Sequence, residues 1–322
     1  MTILKKVMTI LNLMKNDLSE FQLSKLKTVL ETILDVRADL PSTEEIIRKF
    51  ESSKRLVGVK ETTIGQYVLE INTLLKNTDK PIYMLTTPDI KNYLASYREK
   101  RNISMVTIQN KLRFLSSFFE FMFDEGFIDK NPIKGIGRIF VEKRIKKAFT
   151  PEDLARIRGA CTSIRDRALI EFLYSTGARV SECVSLTVKD INFASDELIV
   201  FGKGHKERVC YLNKTAHSLL EQYLESREAK PEEPLFSRYN SVEPLTPRAV
   251  ELILKNIGTA ATVHNVHPHR FRRTFATDLW KAKVPVETIR ILMGHSNIQT
   301  TLRYIDIDPY GVKLAYQNAM SK

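Results

Sequence analysis

The chain has 322 residues, 43% hydrophobic and 27% charged, and its 50 Lys and Arg outweigh 38 Asp and Glu to give a formal net charge of +12. That length allows two domains with a core each, and the composition excludes a disordered or fibrous chain. No apolar run reaches membrane-spanning length, and Cys161, Cys183 and Cys210 form no CxxC pair or zinc spacing. The surplus of cations points toward a polyanion such as nucleic acid.

Residues 1–40 read as one or two helices. Ser19 and Gln22 form a capping box, and Leu26, Val29, Leu30, Ile33 and Leu34 recur at helical period. Lys5-Lys6 and the apolar stretch behind it imitate a signal peptide, but the stretch is short and lacks a small-residue cleavage site. Packing on the next domain is the expected role, with a subunit contact as the alternative.

From Pro41 to about Phe127 the periodicity predicts four helices and no strand. Ser42 and Glu45 open the first, Ile64 to Leu75 mark the second, Thr87-Pro88 begin the third, and Ser104 begins the fourth. Lys91, Lys111 and Arg113 lie between the apolar positions of these helices and are expected to face a phosphate backbone. Asp129-Lys130-Asn131-Pro132 is expected to break the fourth helix. Residues 138–147 hold five Lys or Arg against one Glu with no amphipathic period, which predicts a linker. Within it Lys143, Arg144, Lys146 and Lys147 are candidate phosphate contacts.

A second domain over 148–322 opens with the helix start Thr150-Pro151-Glu152-Asp153. A buried helix from Asp166 to Ser175 ends at Thr176-Gly177, and Arg179 follows with Glu182 three residues on. Arg179 is either a structural partner of Glu182 or an anion clamp. Residues 197–212 read as a β-hairpin around Gly202-Lys203-Gly204-His205, with Lys206 and Arg208 as further cations. The P-loop spacing is absent there, which argues against nucleotide binding. Helices are expected at 214–228 and 248–257. His269 and Arg272, three apart, share a helix face. Val286, Ile289, Leu292 and Met293 make an amphipathic run that ends at Gly294, leaving His295 exposed at its end. Tyr304 comes nine residues later, and Asp308-Pro309 caps a final helix.

The boxes His269-Arg270-Phe271-Arg272, Leu292-Met293-Gly294-His295-Ser296 and Thr300-Thr301-Leu302-Arg303-Tyr304, in this order, resemble the signature of the tyrosine recombinases of the phage-integrase family. The setting of Arg179, Gly-x-Arg-x-Ser-Glu, matches as well. The resemblance covers residues 41–322 and departs at Arg273, where many members carry His. It implies a mainly α fold with a small β-hairpin or sheet. A helical, SAM-like core-binding domain over 41–137 would clamp DNA, and a mixed α/β catalytic domain would follow the linker. Arg179 becomes the clamp with Glu182 as its support, Lys203 the general acid, and Tyr304 the nucleophile. Arg272, His269 and His295 complete the set, and Lys206, Arg208 and Arg273 become phosphate contacts.

The implied activity is site-specific recombination through a 3′-phosphotyrosyl intermediate and a Holliday junction, without metal, ATP or cofactor. The implied partners are double-stranded DNA with inverted-repeat core sites, a homotetramer formed by exchange of the C-terminal helix, and accessory DNA-bending proteins. No membrane is expected, and the setting is the bacterial cytoplasm, for an enzyme that is either Xer-like or the integrase of a mobile element. Two alternatives are a catalytically silent DNA-binding relative and a type IB topoisomerase-like relaxer. The intact catalytic set argues against the first, and the compact size and helical N-terminal domain argue against the second.

Overall fold

The computed structural model describes residues 3–33, 41–137, 139–141, 147–202, 207–295, 297–302, 316–317 and 320. The chain divides into two compact units, residues 1–144 and 145–322.

The first unit is helical. α1 (Ile3–Leu13) and α2 (Glu20–Ile33) form its N-terminal part, and the Ser19–Gln22 capping box is present. Lys27 of α2 pairs with Asp129 at 2.8 Å, which ties this part to the helices behind it. Those are α3 (Thr43–Leu56), α4 (Glu61–Leu75), α5 (Thr87–Arg101) and α6 (Met105–Asp124). Ser42 and Ser104 cap α3 and α6 through their hydroxyls, as their sequence positions predict. The cap of α5 is Thr86 rather than Thr87: Thr86 closes a capping box with Asp89, while Thr87 Oγ1 donates to Pro132 O at 2.7 Å. α6 stops before the Asp129–Pro132 break, and the chain folds back so that Phe127 N–H donates to Met122 O at 2.8 Å. The core gathers Phe50, Ile71, Leu74, Phe118, Phe119 and Met122, with Phe50 and Phe118 edge to face at 5.2 Å. The aromatic stripe of α6 is therefore core.

Lys111 is a correction. It lies on the core side of α6, its side chain 6% exposed, with its ammonium paired to Glu70 and seated over the Tyr97 ring at 4.1 Å. A cation buried against such a partner offers nothing to DNA. Lys111→Met leaves Glu70 as an uncompensated buried charge and is expected to cost about 3–5 kcal/mol. Urea unfolding reads that loss, while the salt dependence of DNA binding stays unchanged; a salt slope smaller by about one would instead return Lys111 to the DNA surface.

The second unit begins with α7 (Pro151–Gly159), capped by the Thr150–Asp153 box, and α8 (Ile164–Thr176). Ala168 through Leu173 are all buried, because α8 runs through the middle of the unit, packed on both α10 (Lys214–Ser226) and α12 (Pro268–Lys281). A short helix, α9 (Val180–Ser185), leads to β1 (Ile191–Asn192), β2 (Glu197–Phe201) and β3 (Glu207–Tyr211). These strands form an antiparallel sheet in the order β1-β2-β3, with Val200 opposite Arg208 and Leu198 opposite Cys210. The two-residue strand β1 is an addition to the expected hairpin. Leu198, Val200, Arg208 and Cys210 all point inward, as the two-residue period of strands requires. α11 (Pro247–Ala260) precedes α12, and α13 (Val286–Met293) and α14 (Ile298–Leu302) follow it. Among the described residues no helix is long and apolar enough to cross a membrane.

Candidate active site

Two left-handed turns aim the central residues of the second unit at one another. Gly177 ends α8 with φ +57°, and a Cβ there would lie 2.5 Å from the Phe275 ring, so only glycine fits. The turn places Arg179 at the N-cap of α9. Its backbone N–H donates to Glu182 Oε2 at 2.8 Å and its Nη1 to Oε1 at 2.6 Å. The Arg179 side chain keeps 30% of its surface exposed, so it is both an ion-pair partner and open to an incoming anion.

Glu182 is buried and serves two guanidiniums. Arg208 donates from Nη1 to Oε1 at 2.9 Å and from Nη2 to Oε2 at 2.7 Å. Burial by itself raises a carboxyl pKa. Here the hydrogen bonds from Arg208 and Arg179 outweigh that penalty and hold Glu182 down at about 2. Arg208 also donates from Nε to Leu292 O at 3.0 Å. Its expected role as a phosphate contact is thus corrected: its side chain is 6% exposed and directed at protein acceptors.

Arg272, in the second turn of α12, is 1% exposed. Its Nη1 donates to Gly177 O at 2.5 Å, and its Nη2 donates to Met293 O and to His295 Nε2, the latter at 3.1 Å. One guanidinium therefore joins the turn after α8 to the end of α13. Gly294, with φ +60°, caps α13, and His295 N–H returns to Arg290 O at 3.1 Å. This turn sends His295 back onto Arg272, where it is 6% exposed, rather than out to solvent as its place at a helix end suggested.

The ring's protonation follows from its partners. A guanidinium only donates, so His295 Nε2 accepts, and Nδ1 carries the hydrogen toward Thr301 Oγ1 at 2.9 Å. Burial first, then the charges of Arg272, Arg179 and Arg208, push the His295 pKa down to about 4. His295 is a neutral imidazole at pH 7.

His269 stands exposed in the first turn of α12, its ring 6.5 Å from that of His267. Arg272, one turn on, is buried, so the face they share runs from solvent into the core. The start of α12 also holds the chain behind the linker: Arg273 Nη1 donates to Lys147 O at 3.4 Å, Arg270 Nη2 to Ala148 O at 3.2 Å, and Thr274 Oγ1 accepts from Phe149 N–H at 2.9 Å. Arg273, 9% exposed, acts there as a tie rather than as an exposed phosphate contact. It lines an open cleft of about 650 Å³ with Lys147, Arg156, His264, His267 and Arg270.

Lys91, Arg113 and Lys147 are exposed. Lys203, Lys206, Lys143, Arg144, Lys146 and Tyr304 lie outside the described residues, as does most of the expected final helix from Asp308, of which Tyr316, Gln317 and Met320 are described, as helical. The sequence reading missed the acceptors on Gly177 and Met293 and the cover from Thr301. It also missed the inward face of Arg208, although the alternation of Arg208 with Cys210 carried that signal.

The profile of the phage integrase family matches residues 147–310, and that of the phage integrase N-terminal SAM-like domain matches residues 46–127. The tyrosine recombinase XerC of Leptospira interrogans serovar copenhageni is 31% identical over 295 residues, which is 86% of this chain and 94% of that protein.

The chain belongs to the phage integrase family of tyrosine recombinases.

XerC of Bacillus licheniformis is a further family member, 33% identical over 251 residues, 73% of this chain and 81% of that protein. Among solved structures, the integrase-family fold recurs in the XerH site-specific recombinase bound to palindromic difH substrate. There the TM-score is 0.68 at 19% identity, over 98% of this chain and 95% of that one. It recurs also in the Tn1549 transposon integrase in complex with transposon right end DNA, with TM-score 0.70 at 20% identity over 86% of this chain and 99% of that one.

Proposed function

We propose that this integrase-family chain cuts and rejoins DNA at specific sites, with Tyr304 as nucleophile and Arg179, Arg272, His295, His269 and Lys203 around the scissile phosphate. The observation that carries the reading is the convergence of Arg179, Arg272 and His295: Arg272 bonds both Gly177 O, in the turn before Arg179, and His295, while the Glu182 carboxylate beside Arg179 is already neutralised by two arginines. Such a site is preorganised for a phosphoryl group gaining negative charge.

In the proposed step the Tyr304 oxygen bonds to phosphorus and the bond from phosphorus to the 5′ oxygen breaks. His269 takes the tyrosine proton, and Lys203 gives a proton to the leaving oxygen. The phosphodiester energy stays in the 3′-phosphotyrosyl bond, so a second strand's 5′ hydroxyl reverses the step without ATP. Arg179 and Arg272 stabilise the non-bridging oxygens. His295 begins with Nε2 as an acceptor. To donate to a phosphate oxygen it must gain a proton there or change tautomer, and incoming phosphate charge favours both by offsetting the neighbouring guanidiniums.

The substrate we propose is double-stranded DNA carrying inverted-repeat core sites, bound by a homotetramer that exchanges C-terminal helices, with accessory DNA-bending proteins. Residues 41–137 would clamp the duplex, supported by the exposure of Lys91 and Arg113. Residues 138–147 would follow the backbone as a linker, and the setting is the bacterial cytoplasm, on the DNA of a mobile element. A plasmid with two such sites tests this. Wild-type protein should yield recombinant circles, and a one-site plasmid should keep its supercoiling. Relaxation of the one-site plasmid without recombinants would support a relaxing enzyme instead.

A further inference from the structure

A single side chain fastens the β2–β3 hairpin to both halves of the phosphate site. Arg208 sits on β3 opposite Val200, five residues after Lys203 in the chain. All three of its guanidinium nitrogens have protein acceptors: Glu182 Oε1 at 2.9 Å, Glu182 Oε2 at 2.7 Å and Leu292 O at 3.0 Å. Its aliphatic stem closes against Gly294, where a Cβ would meet Arg208 Cδ at 2.8 Å. Glu182 is also the carboxylate that holds Arg179, and Leu292 is in the last turn of α13, just ahead of His295. Backbone pairing links β3 to β2, and α9 and α13 are separate elements. The arginine fork is what gives these three elements a common reference point.

We infer that Arg208 is a positioning residue that sets the register of the Lys203 hairpin against the Arg179–Arg272–His295 phosphate site. The inference rests on the proposed role of Lys203 as general acid. A planar guanidinium reaches two carboxylate oxygens and a carbonyl at once, while an ammonium has one point of charge and cannot span them. Loss of the fork leaves the phosphate-binding groups in place and lets the acid drift from the leaving oxygen.

The test compares two nicked DNA substrates in single-turnover cleavage, one with the ordinary 5′ oxygen at the scissile phosphate and one with sulfur in its place. A 5′ thiolate leaves without a proton, so the sulfur substrate reports cleavage that no longer needs the acid. Lys203→Ala should lose about a hundredfold on oxygen and recover most of it on sulfur. Arg208→Lys should lose at least about tenfold on oxygen and likewise recover on sulfur, because the same proton transfer is impaired. Arg208→Gln, which removes the guanidinium fork while Glu182 keeps its ion pair with Arg179, should show the same recovery if Arg208→Lys fails to fold. Equal losses on both substrates for the Arg208 variants, with Lys203→Ala recovering, overturn the inference alone. No recovery for Lys203→Ala removes Lys203 as the acid and takes the inference with it.

Discussion

Arg272→Ala is expected to lower strand cleavage by at least about a hundredfold and to destabilise the second unit by roughly 2–4 kcal/mol. The catalytic loss follows from removing a preorganised cation next to the scissile phosphate. The stability loss follows from the acceptors: Gly177 O, Met293 O and His295 Nε2 each lose a donor in a place where the arginine itself is 1% exposed. Arg272→Lys should recover part of the stability and little of the cleavage, since one ammonium cannot serve acceptors on both sides of the site. Urea unfolding and single-turnover cleavage read the two effects separately. Cleavage within a few-fold of wild type would take Arg272 out of the phosphate site.

The second large effect is at Glu182. Glu182→Gln leaves the buried Arg208 without its counter-charge and is expected to cost about 3–5 kcal/mol at pH 7. The folded pKa of Glu182, about 2, lies below the ordinary 4.5. Its carboxylate therefore contributes stability that is complete above the unfolded value and is lost as pH falls from about 4.5 toward 2. Wild type should lose stability more steeply than Glu182→Gln across that window, and the gap between them should narrow toward its acid end. Urea midpoints at a series of pH values check this, and parallel curves would contradict it.

What was legible in the sequence was local. The Gly177 turn before Arg179, the i,i+3 pair of Arg179 and Glu182, and the Gly294 cap before His295 are set by neighbouring residues, and the structure realises each of them. The acceptors of Arg272 lie 95 and 21 residues away in the chain, and no spacing rule reaches them. Lys111 failed as a surface contact for the same reason, since its partner Glu70 is 41 residues distant and on another helix. His295 was placed at a helix end correctly, but the direction of the chain beyond a left-handed cap is decided by what packs there, here Arg272 and Thr301. Arg208 is different. Its inward face follows from the strand period shared with Cys210, yet a cation in a basic hairpin suggests DNA more readily than core.

In the proposed reaction Tyr304 carries the DNA, and covalent capture is the direct check. DNA bearing inverted repeats and nicked near the cleavage position, so that a short fragment diffuses away, would be incubated with the protein in EDTA and run on a denaturing gel. A slow protein–DNA band is expected for wild type, with a peptide map that places the nucleotide on Tyr304, and no such band for Tyr304→Phe although that variant still shifts the DNA on a native gel. A covalent band that persists in Tyr304→Phe, or one mapped to another residue, would contradict it.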